Sequence, residues 1–143
     1  MYKTANQVKN AVSKQLGKYW NPKKRYAGFA DTKYFLLKHP QIKHYLKHNK
    51  IKSAPQLGQG MDCDDFAFIL KGNLSIANRD KFGYKASLGV GIAWGHFTWV
   101  PEFHAVNWFI DGPTGKLFWI EPQDGSIHPL NHCKPKSLSL LLL

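Results

Sequence analysis

The sequence predicts an α+β fold in which N-terminal helices and one cysteine-bearing helix pack on a small antiparallel sheet. Three observations predict it. Apolar residues recur at helical spacing in the first half, at Val8, Ala11, Val12 and Leu16 and again at Phe66, Ala67 and Leu70. After Gly83 the pattern changes to aromatic and β-branched runs of strand length. Two of those runs flank Asp111-Gly112-Pro113-Thr114-Gly115, a strong turn signal. Helices followed by hairpin-connected strands is an α+β order.

The elements follow in sequence. Thr4 or Asn6 can cap a first helix that Gly17 or Asn21-Pro22 ends. Asp31 can cap a second through Tyr34, Phe35, Leu36 and Leu37, and Pro40 can open a third over 41–48. Residues 53–60 read as loop. Cys63 opens a helix to about Lys71, extendable to Asn78. Strands are expected over 84–94, with Gly89 and Gly91 marking a bulge or close backbone approach, and over 97–110, interrupted by Pro101. Two more are expected over 116–123 and 127–130. The tail Leu138-Ser139-Leu140-Leu141-Leu142-Leu143 reads as a terminal strand on the core.

At 143 residues, the chain suits one domain over 1–143, made of a basic helical part (1–55) and a core (56–143). An apolar content of 43% with 14% aromatics excludes a disordered chain. No apolar run follows Met1-Tyr2-Lys3-Thr4 and none nears the roughly 18 residues of a membrane span. The expectations are no secretory signal, no membrane span and a cytoplasmic location, with Cys63 and Cys133 as free thiols.

Charge is unevenly spread. Residues 1–55 hold 13 of the 20 Lys and Arg and one of the nine acids, a net +12; the remainder is −1. Such a bias attracts polyanions: nucleic acid, anionic lipid or an acidic protein face. Lys23-Lys24-Arg25-Tyr26 and Lys43-His44-Tyr45 interleave charge with aromatics, which suits phosphate contact with stacking. No signature of sequence-specific nucleic-acid binding accompanies them.

Cys63 carries the most chemistry. A helix start favours its thiolate, whereas Asp62, Asp64 and Asp65 oppose it, so this is either a structural corner, with a metal or with a buried cysteine, or a site where a histidine, a cation or both compensate. Cysteine catalysis needs an imidazole and a group that orients the ring. His104 begins one arm of the predicted hairpin and Glu121 ends the other. A four-residue loop pairs Asp111 with Lys116, Ile110 with Leu117 and Trp108 with Trp119. His104, Val106, Glu121 and Gln123 then share one face, with His104 and Glu121 roughly 5–8 Å apart at Cβ. A loop one residue longer or shorter would separate them. Asn107 falls on the other face and reads as structural.

Cys-Asp-Asp at 63–65, His-Ala-x-Asn at 104–107 and Ile-Glu-Pro-Gln at 120–123 together resemble the calcium-dependent, papain-like cysteine peptidase domain of fungal galactose-binding agglutinins. More broadly the order resembles the papain-like and transglutaminase-like fold. The resemblance covers about residues 58–128. It implies a cysteine hydrolase (a thiol protease, or an amidase or transglutaminase-like enzyme) acting on a peptide or amide bond of a protein or peptide substrate through a Cys63 thioester. It implies His104 as base, Glu121 as orienter, and calcium held by Asp64 and Asp65. Asp62 is added to that ligand set from the sequence. The basic residues 1–55 and the lack of Cys-Gly-Ser-Cys-Trp depart from the family, and no lectin domain is expected ahead of the core.

The Cys63 N–H and a side-chain amide, Gln59 first and Gln56 next, are candidate oxyanion donors; Gln123 and Trp94 stand further out. The alternative function is a basic binding protein that docks a polyanion through residues 1–55, with the cysteine site inactive. His44 and His48, near His39, share a helix face without a third metal ligand, and His128, His132 and Cys133 form a second candidate cluster. Trp94, Trp99, Trp108 and Trp119 read as core and cleft wall.

Overall fold

A computed structural model describes residues 1–20, 26–48, 61–78, 80, 83 and 85–143. Among these, helix α1 spans Ala5–Leu16, α2 His39–His48 and α3 Cys63–Ala77. The strands are β1 (Tyr2–Thr4), β2 (Tyr26–Gly28), β3 (Lys33–Phe35), β4 (Ser87–Leu88), β5 (Val90–Phe97), β6 (Phe103–Ile110), β7 (Leu117–Ile120), β8 (Ile127–Pro129) and β9 (Pro135–Leu142).

Helix α1 begins where the sequence places it. Thr4 Oγ1 accepts the Gln7 N–H at 3.3 Å, and Gln7 Oε1 accepts the Thr4 N–H at 2.9 Å, so two otherwise orphaned donors are satisfied. Gly17, at φ +50°, ends the helix in a conformation that residues with a Cβ rarely adopt. Val8, Val12 and Leu16 are buried along one face.

The expected small antiparallel sheet needs correction. The main sheet has six strands in the order β2-β9-β5-β6-β7-β8, and its β2–β9 pair is parallel. A second sheet, β1-β3-β4, lies within the supposed helical part and reaches out of it. Residues 33–35 are strand, not the helix expected after Asp31. Tyr34-Phe35-Leu36-Leu37 is a solid apolar run, and such a run does not distinguish helix from strand. Pairing decides: Tyr34 lies opposite both Lys3 and Ser87. The Tyr34 hydroxyl accepts the Asp31 N–H at 2.9 Å, while the Asp31 carboxylate accepts the Ser87 hydroxyl at 2.6 Å. The expected 84–94 strand is divided at Gly89, where a Cβ would press on the Leu36 side chain, so β4 and β5 enter different sheets. Phe97 closes β5 rather than opening β6.

Period-two alternation gives the main sheet two buried faces. One carries Ala93, Val106, Trp108, Trp119 and Leu138 against α1. The other carries Val90, Phe109 and Ile120 against α2 and α3. The first cluster unites Val8 and Val12 with Leu141 and Leu143, so the predicted basic and core parts share one interior. At Gly91 a Cβ would collide with the Leu142 carbonyl and the Trp108 indole, the close approach expected there.

Candidate functional site

The turn between β6 and β7 fixes the site. Asp111 Oδ2 accepts the Thr114 hydroxyl at 2.5 Å and the Thr114 N–H at 3.1 Å, and Asp111 Oδ1 accepts the His39 N–H at 2.7 Å. Burial works against the Asp111 carboxylate, but these bonds outweigh it and hold its pKa below the ordinary value. Gly115, at φ +67°, completes a four-residue loop. Ile110 then pairs with Leu117 and Trp108 with Trp119, the register read from the sequence.

That register brings His104 and Glu121 together, with Nε2 of the ring 2.8 Å from Oε2 of the carboxylate. Glu121 lies just past β7 and is 8% exposed. Its other oxygen accepts the Gln123 N–H at 3.2 Å, and the chain turns behind it through a Gly125 N–H to Glu121 carbonyl bond of 2.8 Å. With Nε2–H donated to Glu121, the lone pair of the neutral ring is assigned to Nδ1.

Cys63 is the first residue of α3. Asp62 caps the helix, its carbonyl accepting the Phe66 N–H at 3.2 Å and its N–H donating to Asp65 Oδ2 at 3.2 Å. The Cys63 side chain packs against the buried cluster of Ala67, Ile92 and Ala105, as does Trp94. Burial raises the thiol pKa, the Ala105 N–H opposes the rise, and the Asp62 and Asp64 charges add to it. The helix start therefore does not produce a resting thiolate. Asp64 is also raised, first by its hydrogen bond to the Asp62 carboxyl. Ligand atoms of Asp62, Cys63 and Asp64 lie within 4.8 Å of one another; Asp65 stands outside this group.

His104 and Ala105 are consecutive on β6 and so project to opposite sides of the strand, with the thiol over Ala105. Thiol and imidazole nevertheless open onto one cleft of about 330 Å³ at the start of β6. Its wall includes Asp62, Glu102 and Gln123, together with an apolar turn through Val100, Pro101 and Phe103. The sequence does not mark this turn as part of the site: Pro101 there reads only as a strand breaker. Nor does it mark how α3 is seated. Fully buried Asn107 donates to the Ala67 carbonyl at 2.9 Å and the Gly91 carbonyl at 3.2 Å, tying α3 to β5 and β6.

Other candidates are placed as follows. Gln59 and Gln56 lie outside the described residues, as do Lys23, Lys24 and Arg25. The His39 ring lies against Phe118, and the His44 and His48 rings are 4.8 Å apart. Among the described residues, no third donor joins that histidine pair. Tyr45 packs on the α2 core cluster instead of presenting a stacking surface. His128 Nδ1 lies 3.7 Å from Cys133 Sγ, while His132 is exposed and joins no group of three potential ligands among the described residues. Trp108 and Trp119 are core; Trp94 and Trp99 are partly buried.

Comparison with known proteins gives these side chains a family setting. The profile of the family described as Agglutinin C-terminal matches residues 34–127. A solved structure described as a PSL1a-E64 complex superposes with a TM-score of 0.79 at 22% identity, covering 99% of this chain and 50% of that one. The Polyporus squamosus lectin, described as bound to the human-type influenza-binding epitope Neu5Aca2-6Galb1-4GlcNAc, superposes with a TM-score of 0.68 at 24% identity, covering 99% of this chain and 49% of that one. The chain thus spans about half the length of these solved relatives. No curated protein matches it significantly.

These matches correct the expectation of a papain-like or transglutaminase-like cysteine peptidase, because the family is that of agglutinin C-terminal regions and a named neighbour is a lectin. The same finding sets aside the peptide- or amide-bond hydrolase and the alternative of a polyanion-docking protein. The fold is the sheet-rich one shared with those neighbours, not a papain-like core of helices on a small sheet. Among the described residues no helix is long and apolar enough to cross a membrane.

Proposed function

The chain belongs to the agglutinin C-terminal family, and on that footing we propose that it is a lectin-associated module whose own chemistry is that of a nucleophilic thiol at Cys63. The supporting observation is the shared cleft: Cys63 and His104 line it together, and Glu121 sits 2.8 Å from the ring. Cys63 Sγ bonds to an electrophilic atom of the acceptor, His104 takes the thiol proton at Nδ1, and Glu121 steadies the imidazolium through Nε2–H. Because the thiol rests protonated, the base removes the proton as the new bond forms. The Cys63 N–H and the Gln59 side chain are the proposed donors to the acceptor, with Gln123 as a further one.

Calcium belongs to the same proposal. Asp62 Oδ1 is buried and has no hydrogen-bond partner among the described residues, and the Asp62 and Asp64 carboxyls crowd one another. Hard oxygen donors so arranged fit Ca²⁺. Asp62 and Asp64 would hold it, and Asp65 would add its charge from the next position. When bound, the ion would neutralise the acids whose charge adds to the effect of burial on the thiol.

The test is alkylation by iodoacetamide near neutral pH in a Cys133→Ser background, in which Cys63 is the only remaining thiol. The reading expects rapid labelling of Cys63 that slows in His104→Ala. Equal rates with and without His104 would overturn it.

A glycan-binding reading rests on a separate observation, the neighbour described in complex with Neu5Aca2-6Galb1-4GlcNAc. Calorimetry of this chain with that trisaccharide tests it. Saturable heat would support a sugar site in this half of such proteins, and its absence at millimolar sugar would refute one.

A further inference from the structure

The protein carries +11 overall, yet its cleft has the opposite sign. Five of its nine acids gather at this end of the molecule. Asp62 and Glu102 line the cleft, Asp64 and Asp65 share the first turn of α3 with Cys63, and Glu121 backs the His104 ring. Among the described residues of the wall, His104 is the only one able to carry positive charge. The rest of the wall includes the apolar residues Val100, Pro101 and Phe103, and Phe103 is 48% exposed. Low-dielectric walls focus the field of the acids they enclose, so the potential near the thiol is set by these carboxylates more than by any lysine beyond the screening length of about 8–10 Å.

We propose that the Cys63 cleft selects acceptors bearing a cationic group, with Glu102, which the calcium reading does not use, as the residue that sets the preference. The proposal rests on Cys63 being the nucleophile of this cleft, and it adds the class of acceptor. Glu102 acts through charge at the rim: it attracts the cation and leaves the proton transfer to His104. Phe103, half-exposed and next to Glu102 in sequence, adds an aromatic ring to the wall, which suits a quaternary or guanidinium cation more than an anion.

A pair of methanethiosulfonates of opposite charge tests this on the folded Cys133→Ser protein with a calcium chelator present. One carries 2-trimethylammonioethyl and the other 2-sulfonatoethyl. In each case a bond forms from Cys63 Sγ to the reagent's sulfenyl sulfur, the S–SO₂ bond breaks, methanesulfinate leaves, and the thiol proton passes to His104. The cationic reagent should react about 10-fold faster at low salt, and the ratio should fall toward the reagents' intrinsic ratio in 1 M salt. Glu102→Gln should lower the ratio about threefold without changing the rate for uncharged methyl methanethiosulfonate. A ratio at the intrinsic value, or one favouring the anion as the net +11 would dictate, overturns the preference. Slow reaction with all three reagents, unaltered by His104→Ala, would instead overturn the nucleophilic thiol itself.

Discussion

The chain holds two thiols, each with an imidazole in its surroundings, and the two corners differ in what stands behind the ring. At Cys133 the neighbour is His128, whose Nδ1 lies 3.7 Å from the sulfur. The far nitrogen of that ring meets the Ser126 hydroxyl at 2.8 Å, and one ring face is stacked on Trp99 at 4.8 Å. At Cys63 the histidine is held by a buried carboxylate, and the thiol opens onto a cleft. Burial raises the pKa of both thiols, so neither rests as a thiolate. On the role proposed for Cys63, nearness of sulfur to nitrogen is not what marks the reactive corner. A carboxylate that stabilises the protonated ring, and room for an acceptor, separate the two corners.

The largest expected effect is on the Cys63 side of this contrast. His104→Ala should slow Cys63 alkylation about 100-fold, with Cys133 labelling unchanged; His128→Gln should alter Cys133 labelling less than about threefold. Mass spectrometry of each labelled peptide reads both rates, and a large effect of His128→Gln would erase the distinction. Next comes Asn107→Leu, which strips two buried carbonyls of a donor and should cost about 2 kcal/mol in denaturant unfolding. It loosens α3 against β5 and β6, so the loss should be accompanied by slower Cys63 labelling. Glu121→Gln should follow, with a drop in the Cys63 rate of about 10-fold near neutral pH, because the imidazolium loses its counter-charge.

The smallest effect is electrostatic. The Asp64 pKa is raised above its ordinary 3.8, so the folded state holds that proton more tightly than the unfolded chain. The contribution is stabilising at low pH and is lost as pH rises through the folded value. Asp64→Asn should flatten this acid-range slope, leaving the metal-free protein about 1–2 °C more heat-stable near pH 7. It should also remove most of any rise in Tm produced by Ca²⁺; an undiminished rise would place the ion elsewhere.

What the sequence disclosed depended on how far apart the interacting residues lie. The contact between His104 and Glu121 was legible because a single turn governs it, and Asp111 and Gly115 announce that turn. Helices α1 and α3 were legible from period and cap. Strand β3 was not: Tyr34 and Phe35 sit in an unbroken apolar run, and their partners, Lys3 and Ser87, lie on either side in sequence, Ser87 more than 50 residues away. The parallel pairing of Tyr26 with Leu140 leaves no local mark at all. The site shows the same divide. Cys63, His104 and Glu121 are recognisable by residue type, whereas the Val100–Phe103 wall and the Asn107 tether to Ala67 arise from tertiary placement.

The position of β9 has a consequence for synthesis. Leu138 and Leu141 belong to a strand that lies between β2 and β5 inside the main sheet, although it is synthesised after every other described strand of that sheet. Until that strand emerges, β2 has no partner among the described strands of the main sheet, and β5 exposes an unpaired backbone edge next to the glycine-lined gap at Gly91 and Gly95. The nascent β5–β8 ribbon must wait in that state, vulnerable to edge pairing with a neighbouring polypeptide, and a stalled or prematurely terminated message would yield an aggregation-prone fragment.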